Sequence, residues 1–135
     1  MKPVDKFIED RDKLCSILQV IVGDNIQFNK DIIPKSFPCA IVILDTEVGI
    51  KPTISRFTST LITWTVYLIT NAHEVADPDI AVYVLKDKFR EGYHLQFNKD
   101  IPNVEYYTSR VDGTRPVRIA KLTVTPHQSM SEFKA

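Results

Sequence analysis

Residues 4–22 place their apolar side chains at helical spacing. Val4, Phe7, Ile8, Leu14, Cys15, Leu18, Ile21 and Val22 share one stripe, interrupted by Arg11. Asp5, Lys6, Glu9, Asp12 and Lys13 take the other side, with Glu9 and Lys13 at a favourable i,i+4 spacing. Gly23 supplies a stop. After a connector over 24–37 the period changes. In 38–45 both alternating sets, Cys39/Ile41/Ile43 and Ala40/Val42/Leu44, are apolar, which marks a strand buried on two sides. Residues 46–59 hold Gly49, Pro52, Glu47, Lys51 and Arg56. This stretch is too long for a tight hairpin turn and reads as a projecting arm.

The longest strand is predicted over 60–72. Ile62, Trp64, Val66 and Leu68 form its core side, whereas Leu61, Thr63, Thr65, Tyr67 and Ile69 form a semi-polar side suited to contact. Asp77-Pro78 opens a second helix as N-cap and first-turn proline. Ala81, Val82, Leu85 and Phe89 make its apolar face, Ile80 and Val84 lie off that face, and Gly92 is read as its end. Segments 104–111 and 117–125 form a hairpin about Asp112-Gly113.

The pattern therefore predicts an α+β fold. A mostly antiparallel sheet of four strands, or slightly more, carries two helices on one face. One domain spans 1–135, with a folded core over 1–125 and a flexible or partner-ordered tail over 126–135. Two helices are few for strands apolar on both sides, so a lone copy is expected to leave sheet surface in water. The chain reads as a subunit of an assembly.

The segment Gln27-Phe28-Asn29-Lys30-Asp31-Ile32 recurs as Gln96-Phe97-Asn98-Lys99-Asp100-Ile101, each time after a helix and before a strand. Two readings stay open: an internal duplication, or two similar connectors in which the aromatic anchors the turn.

Composition narrows the function classes. Lys plus Arg equals Asp plus Glu, at 17 each, which argues against a dedicated nucleic-acid binder. The start of the chain does not resemble a signal peptide, and no apolar run approaches membrane-spanning length. Cys15 and Cys39 fit no metal spacing and no secreted disulfide framework, so two reduced, buried thiols and synthesis in cytoplasm are expected. Glycine is scarce, at 4 residues, and no phosphate-cradling loop, nucleophile elbow or zinc helix motif is present.

The remaining candidates for chemistry have plainer explanations. His73, His94 and His127 are far apart, and His73-Glu74 with Asp77 and Asp79 is the nearest approach to an acid–base cluster. A helix cap and dipole already account for those aspartates. Trp64, Tyr67, Tyr106 and Tyr107 could stack bases, but strand aromatics more often fill cores or interfaces. Arg110, Arg115, Arg118 and Lys121 concentrate positive charge on the last hairpin, as a protected sheet edge or as a contact for an acidic neighbour.

The element order, the strand Leu61-Ile-Thr-Trp-Thr-Val-Tyr-Leu-Ile69 before the second helix and the closing strand Arg118-Ile-Ala-Lys-Leu-Thr-Val-Thr125 together resemble the tail terminator (tail completion) proteins of long-tailed bacteriophages. The resemblance covers about 4–125 and rests on element order and strand texture. It implies a structural virion protein, not an enzyme, with no cofactor. Such proteins form a ring, usually a hexamer, that caps the head-proximal end of the tail tube and joins the head connector. Implied partners are further copies, the tail tube protein and the head-completion protein. No membrane and no sequence-specific nucleic acid is implied, although genome DNA would pass through the lumen. The implied location is the tail and neck of the virion, assembled in host cytoplasm. Interface candidates are Leu61, Thr63, Thr65, Tyr67 and Ile69, with Lys51 and Arg56 on the arm and Asp112 and Arg115 at the hairpin tip.

Alternatives stay open. One is another neck or minor tail component. Another, from a different class, is a small ligand-binding or regulatory α+β dimer, because the element order is a circular shift of the ferredoxin-like order. An enzyme built on His73 is the remaining reading.

Overall fold

The computed structural model describes residues 3–29, 36–50, 59–72, 75–101, 103–111, 115–126 and 128–129. Helix α1 spans Pro3–Val22, and Gly23 ends it with φ 67° while its N–H donates to Gln19 O at 3.0 Å. Strand β1, Ile26–Gln27, pairs in parallel with Ala40 and Ile41 of β2, Cys39–Ile50. Asn25 fixes this junction: its Nδ2 donates to Ser36 O at 2.6 Å and Pro38 O at 2.9 Å.

β2 pairs antiparallel with β3, Ser59–Asn71, from Cys39↔Ile69 out to Ile50↔Ser59. A bulge between Leu44 and Thr46 shifts the register. The expected arm is thus corrected over 46–50, which continues the ladder as strand; Lys51 and Arg56 lie outside the described residues. Cross-strand hydrogen bonding carries the chain past Gly49 because Thr46 resumes pairing with Thr63.

Helix α2 spans Pro78–Phe97. Asp77 caps it, its Oδ1 accepting from the N–H groups of Asp79 (3.1 Å) and Ile80 (3.2 Å). Gly92 does not end this helix. A Cβ there would lie 2.7 Å from Ile17 Cγ2, so the glycine admits α1 instead. The stop is Asn98, left-handed at φ 54°, whose N–H donates to His94 O at 2.7 Å.

Strands β4 (Val104–Val111) and β5 (Arg115–Val124) form the predicted hairpin, paired from Val111↔Arg115 to Val104↔Leu122. Asp112 lies outside the described residues. β6, Gln128–Ser129, pairs with Leu61 and Thr60 of β3. Strand order is β1-β2-β3-β5-β4, with β6 also on β3. The sheet is mixed, because β1–β2 is parallel, and antiparallel in its other pairings.

Exchanging α1-β2-β3 with α2-β4-β5 leaves the order β2-β3-β5-β4 unchanged, a two-fold layout of two helix-strand-strand units. The repeated hexapeptide does not share that equivalence in local structure: Gln27 is in β1, whereas Gln96 is in the last turn of α2.

Both helices cover one side of the sheet. Leu14, Ile17 and Leu18 of α1 and Val82, Leu85, Phe89 and Tyr93 of α2 bury Val42, Trp64, Val66, Leu68, Ala120 and Leu122. Phe7 sits against Trp64 with ring centroids 4.9 Å apart. The expected core side of β3 is therefore correct. Ile8, placed on the helix stripe by its spacing, is instead exposed, and Asp10 is buried.

The other side of the sheet contradicts the expectation of surface left in water. Cys39, Ile41, Tyr67, Ile69, Val117 and Ile119 form a second cluster, each at most 8% exposed in a single chain. Phe37 and Ile43 pack against it, and the Arg115 guanidinium lies 5.8 Å from the Phe37 ring centroid. This face is closed without either helix, with Phe37 and Ile43 packed against the cluster.

Candidate functional site

Three of the five residues proposed for contact on β3 are thus placed inside. Thr65, Tyr67 and Ile69 are buried and Thr63 is half-buried, its Oγ1 3.2 Å from Thr125 Oγ1. Leu61 pairs with Val48 and Gln128 in the ladder. As a surface for another subunit Thr65, Tyr67 and Ile69 are corrected: a buried side chain cannot also offer its area to a partner. Arg115 is half-buried against Phe37 rather than free at a tip.

The charge cluster of the last hairpin is split by the pleat. Arg118 pairs in register with Thr108 and Thr70 on the helix side, where its Nε meets Asp79 Oδ1 at 2.8 Å. Lys121 faces the other side, with Nζ 3.7 Å from Glu105 Oε2. β5 lies between β3 and β4, so its charges do not protect an edge.

The two aspartates of the candidate acid–base cluster have structural partners. Asp77 caps α2 and Asp79 binds Arg118; His73, Glu74 and His127 lie outside the described residues. His94 Nδ1 is 3.9 Å from Asp100 Oδ1, both well exposed, in a groove of about 480 Å3 shared with Asp87, Arg90, Glu91 and Leu95. Trp64 is buried in the helix-side core and Tyr106 and Tyr107 point to opposite sides of β4, so the aromatics build no common platform. Among the described residues, no group of three or more His, Cys, Asp or Glu could hold a metal ion. Among them, too, no helix is long and apolar enough to cross a membrane.

Both cysteines are free thiols, Cys39 buried and Cys15 half-buried. Burial pushes the Cys39 thiol up to about 12. Burial also raises Cys15, opposed by Arg11 and assisted by Asp12. Sequence reasoning missed three buried polar groups. Asp10 sits at 1% exposure within α1, and burial followed by the charge of Asp10 raises Tyr93 on α2. Lys86 is buried with Nζ 3.7 Å from the Tyr83 ring centroid. Their long or small polar side chains interrupt the stripes, and no spacing signal separates them from solvated neighbours.

What remains on the outside is apolar helix surface. Ile80, Tyr83 and Val84 are 63%, 54% and 44% exposed, one turn apart on α2. Tyr83 continues onto the sheet through a groove of about 170 Å3 that it shares with Asp79, Val82, Arg118 and Tyr106 of β4. Val20 and Leu95 are also exposed. The placement of Ile80 and Val84 off the core face is therefore correct. This α2–β4 flank is the candidate interaction surface. No family model matches the chain, and no curated protein matches it.

Proposed function

We propose that the chain is a structural assembly protein, a tail terminator subunit that forms a ring at the head-proximal end of a phage tail tube. The observation that carries the assembly reading is the apolar flank of Ile80, Tyr83, Val84 and Tyr106. Grouped large apolar side chains outside a complete core favour burial against another protein, at roughly 25 cal/mol per Å2 withdrawn from water. This replaces the uncovered sheet as the reason for association. The phage assignment itself rests on the resemblance in element order and strand texture. On this reading the ring stops tube growth by matching the tube subunit's end while presenting no copy of it above, and it then receives the head connector.

The test is native mass and negative-stain imaging of the purified protein. A closed ring, hexameric by the resemblance, is expected; a concentration-independent monomer would defeat the reading. A second reading is favoured by one observation, the order β2-β3-β5-β4, which suits a circularly shifted ferredoxin-like fold. A small regulatory dimer of that kind would give a dimer mass and a melting temperature that rises with a metabolite. Fold alone does not choose between them.

A further inference from the structure

We propose that the cavity at the end of β3 is a binding site for a small organic carboxylate with an apolar body, held by Arg115, Asn71 and Ser36. The site lies within one copy and does not rest on the ring reading. β3 stops at Asn71, whose partner on β5 is Val117, whereas β5 starts earlier, at Arg115. On the other side Ser36, Phe37 and Pro38 lead into β2. The central strand thus ends short of the chain on either side of it. A cavity of about 390 Å3 occupies the gap, with Val75, just before the α2 cap, on its wall. That volume is in the range of small-molecule sites.

Strand alternation brings the polar groups to one side. Tyr67 and Ile69 face away from the helices, as do Ile119 and Val117, and the same alternation carries Asn71 and Arg115 to that side. Because Asn71 is in register with Val117, Arg115 is its diagonal neighbour. From there the guanidinium reaches across the strand end to within 5.8 Å of the Phe37 ring centroid. Phe37 itself packs on the cluster of that face, which gives the arginine a fixed support.

Among the described residues lining the cavity, Arg115 has the one charged side chain. A guanidinium held over an aromatic ring still directs its N–H donors outward in its own plane, and their fork matches the two oxygens of a carboxylate. Five donors leave room for an anion beside an existing partner. Ser36 Oγ accepts from Asn25 Nδ2 at 3.0 Å, so its hydroxyl proton is left to donate elsewhere. The Asn71 amide adds further N–H donors. Phe37, Pro38 and Val75 supply apolar wall for the rest of the ligand. One positive charge among neutral donors suits a monoanion. A phosphate dianion would leave half its charge unmatched in a partly closed space.

Benzoate is the probe, titrated calorimetrically into the full chain in a buffer free of carboxylate and phosphate. It is expected to bind about tenfold or more tightly than acetate, benzyl alcohol or inorganic phosphate, because only benzoate joins the paired charge to an apolar body. In the amide NMR spectrum the largest shifts should fall at Asn71, Val75 and Arg115. Arg115→Gln should weaken benzoate by about tenfold or more, the size of a hydrogen bond to a charged group, and Arg115→Lys by less. Because Arg115 also supports Phe37, the cavity-filling Val75→Phe gives an independent answer: it should block benzoate while melting like the wild type. Arg118→Gln, on the helix side, should leave binding unchanged. No benzoate binding by the wild type in the millimolar range overturns the site. So does binding that survives Arg115→Gln and Val75→Phe, or that acetate, benzyl alcohol or phosphate equals. None of these outcomes changes the mass of the assembly, so the ring reading is judged separately.

Discussion

Gly92 shows how one missing methyl group sets the helix layer. A Cβ would fall 2.7 Å from Ile17 Cγ2, inside van der Waals contact. Gly92→Ala gains about 1 kcal/mol of helix propensity but meets an overpacking cost of about 1–3 kcal/mol. The expected result is a lower urea midpoint in the wild-type background. In Ile17→Ala the same change should raise the midpoint, which a double-mutant cycle will read. Cys39 makes a second residue-scale prediction. Its thiol is raised, so the unfolded chain ionises first as pH climbs. The stabilisation is complete below the ordinary thiol value of about 8.5 and is lost progressively as pH approaches about 12. Stability should fall by up to about 1.4 kcal/mol per pH unit above that value, and less steeply in Cys39→Ala. Tyr93 acts with the same sign at higher pH. A thiol reagent at mild pH should label Cys15 and reach Cys39 only on unfolding.

At the scale of elements, α2 is held by its ends and by the groups beneath it. Asp77 satisfies two first-turn N–H groups, so Asp77→Ala should cost about 1 kcal/mol, measured by chemical denaturation. Asp79→Ala should cost less: its pairing with Arg118 leaves the carboxylate largely in water, where ion pairs add little. The comparison separates capping from surface charge on the same turn. Sequence reasoning located this cap through Asp77-Pro78 but misread the other end, because glycine signals both a stop and a close approach. Asn98 could have been weighed as the stop, since asparagine tolerates the left-handed region.

For the whole molecule, the sheet now has two covered sides and two ends that differ in their neighbours. Helices cover one side, and Phe37 and Ile43 pack against the other. On the proposed reading, association moves from the sheet's broad face to its flank, where Tyr83 and Tyr106 line one groove. A ring held by such apolar contacts should keep its mass between about 0.1 and 1 M salt, because screening acts on exposed charges and not on buried apolar area. A ring that dissolves at high salt would place its contacts on charged groups instead.

The sequence by itself determined what depends on near neighbours: the helix and strand periods, the N-cap at Asp77, the hairpin of β4 and β5, and the core side of β3 with Trp64. Those signals are local because propensity, capping and alternation act over a few residues. Only the tertiary structure decided matters that depend on distant segments. It buried Tyr67 and Ile69, drew Gly92 against Ile17, set β5 inside the sheet, split Arg118 from Lys121 and left Leu44 and Tyr106 at opposite ends. Burial is a property of what arrives from elsewhere in the chain, and an apolar side chain reads the same in sequence whether another part of its own fold or a second copy will cover it.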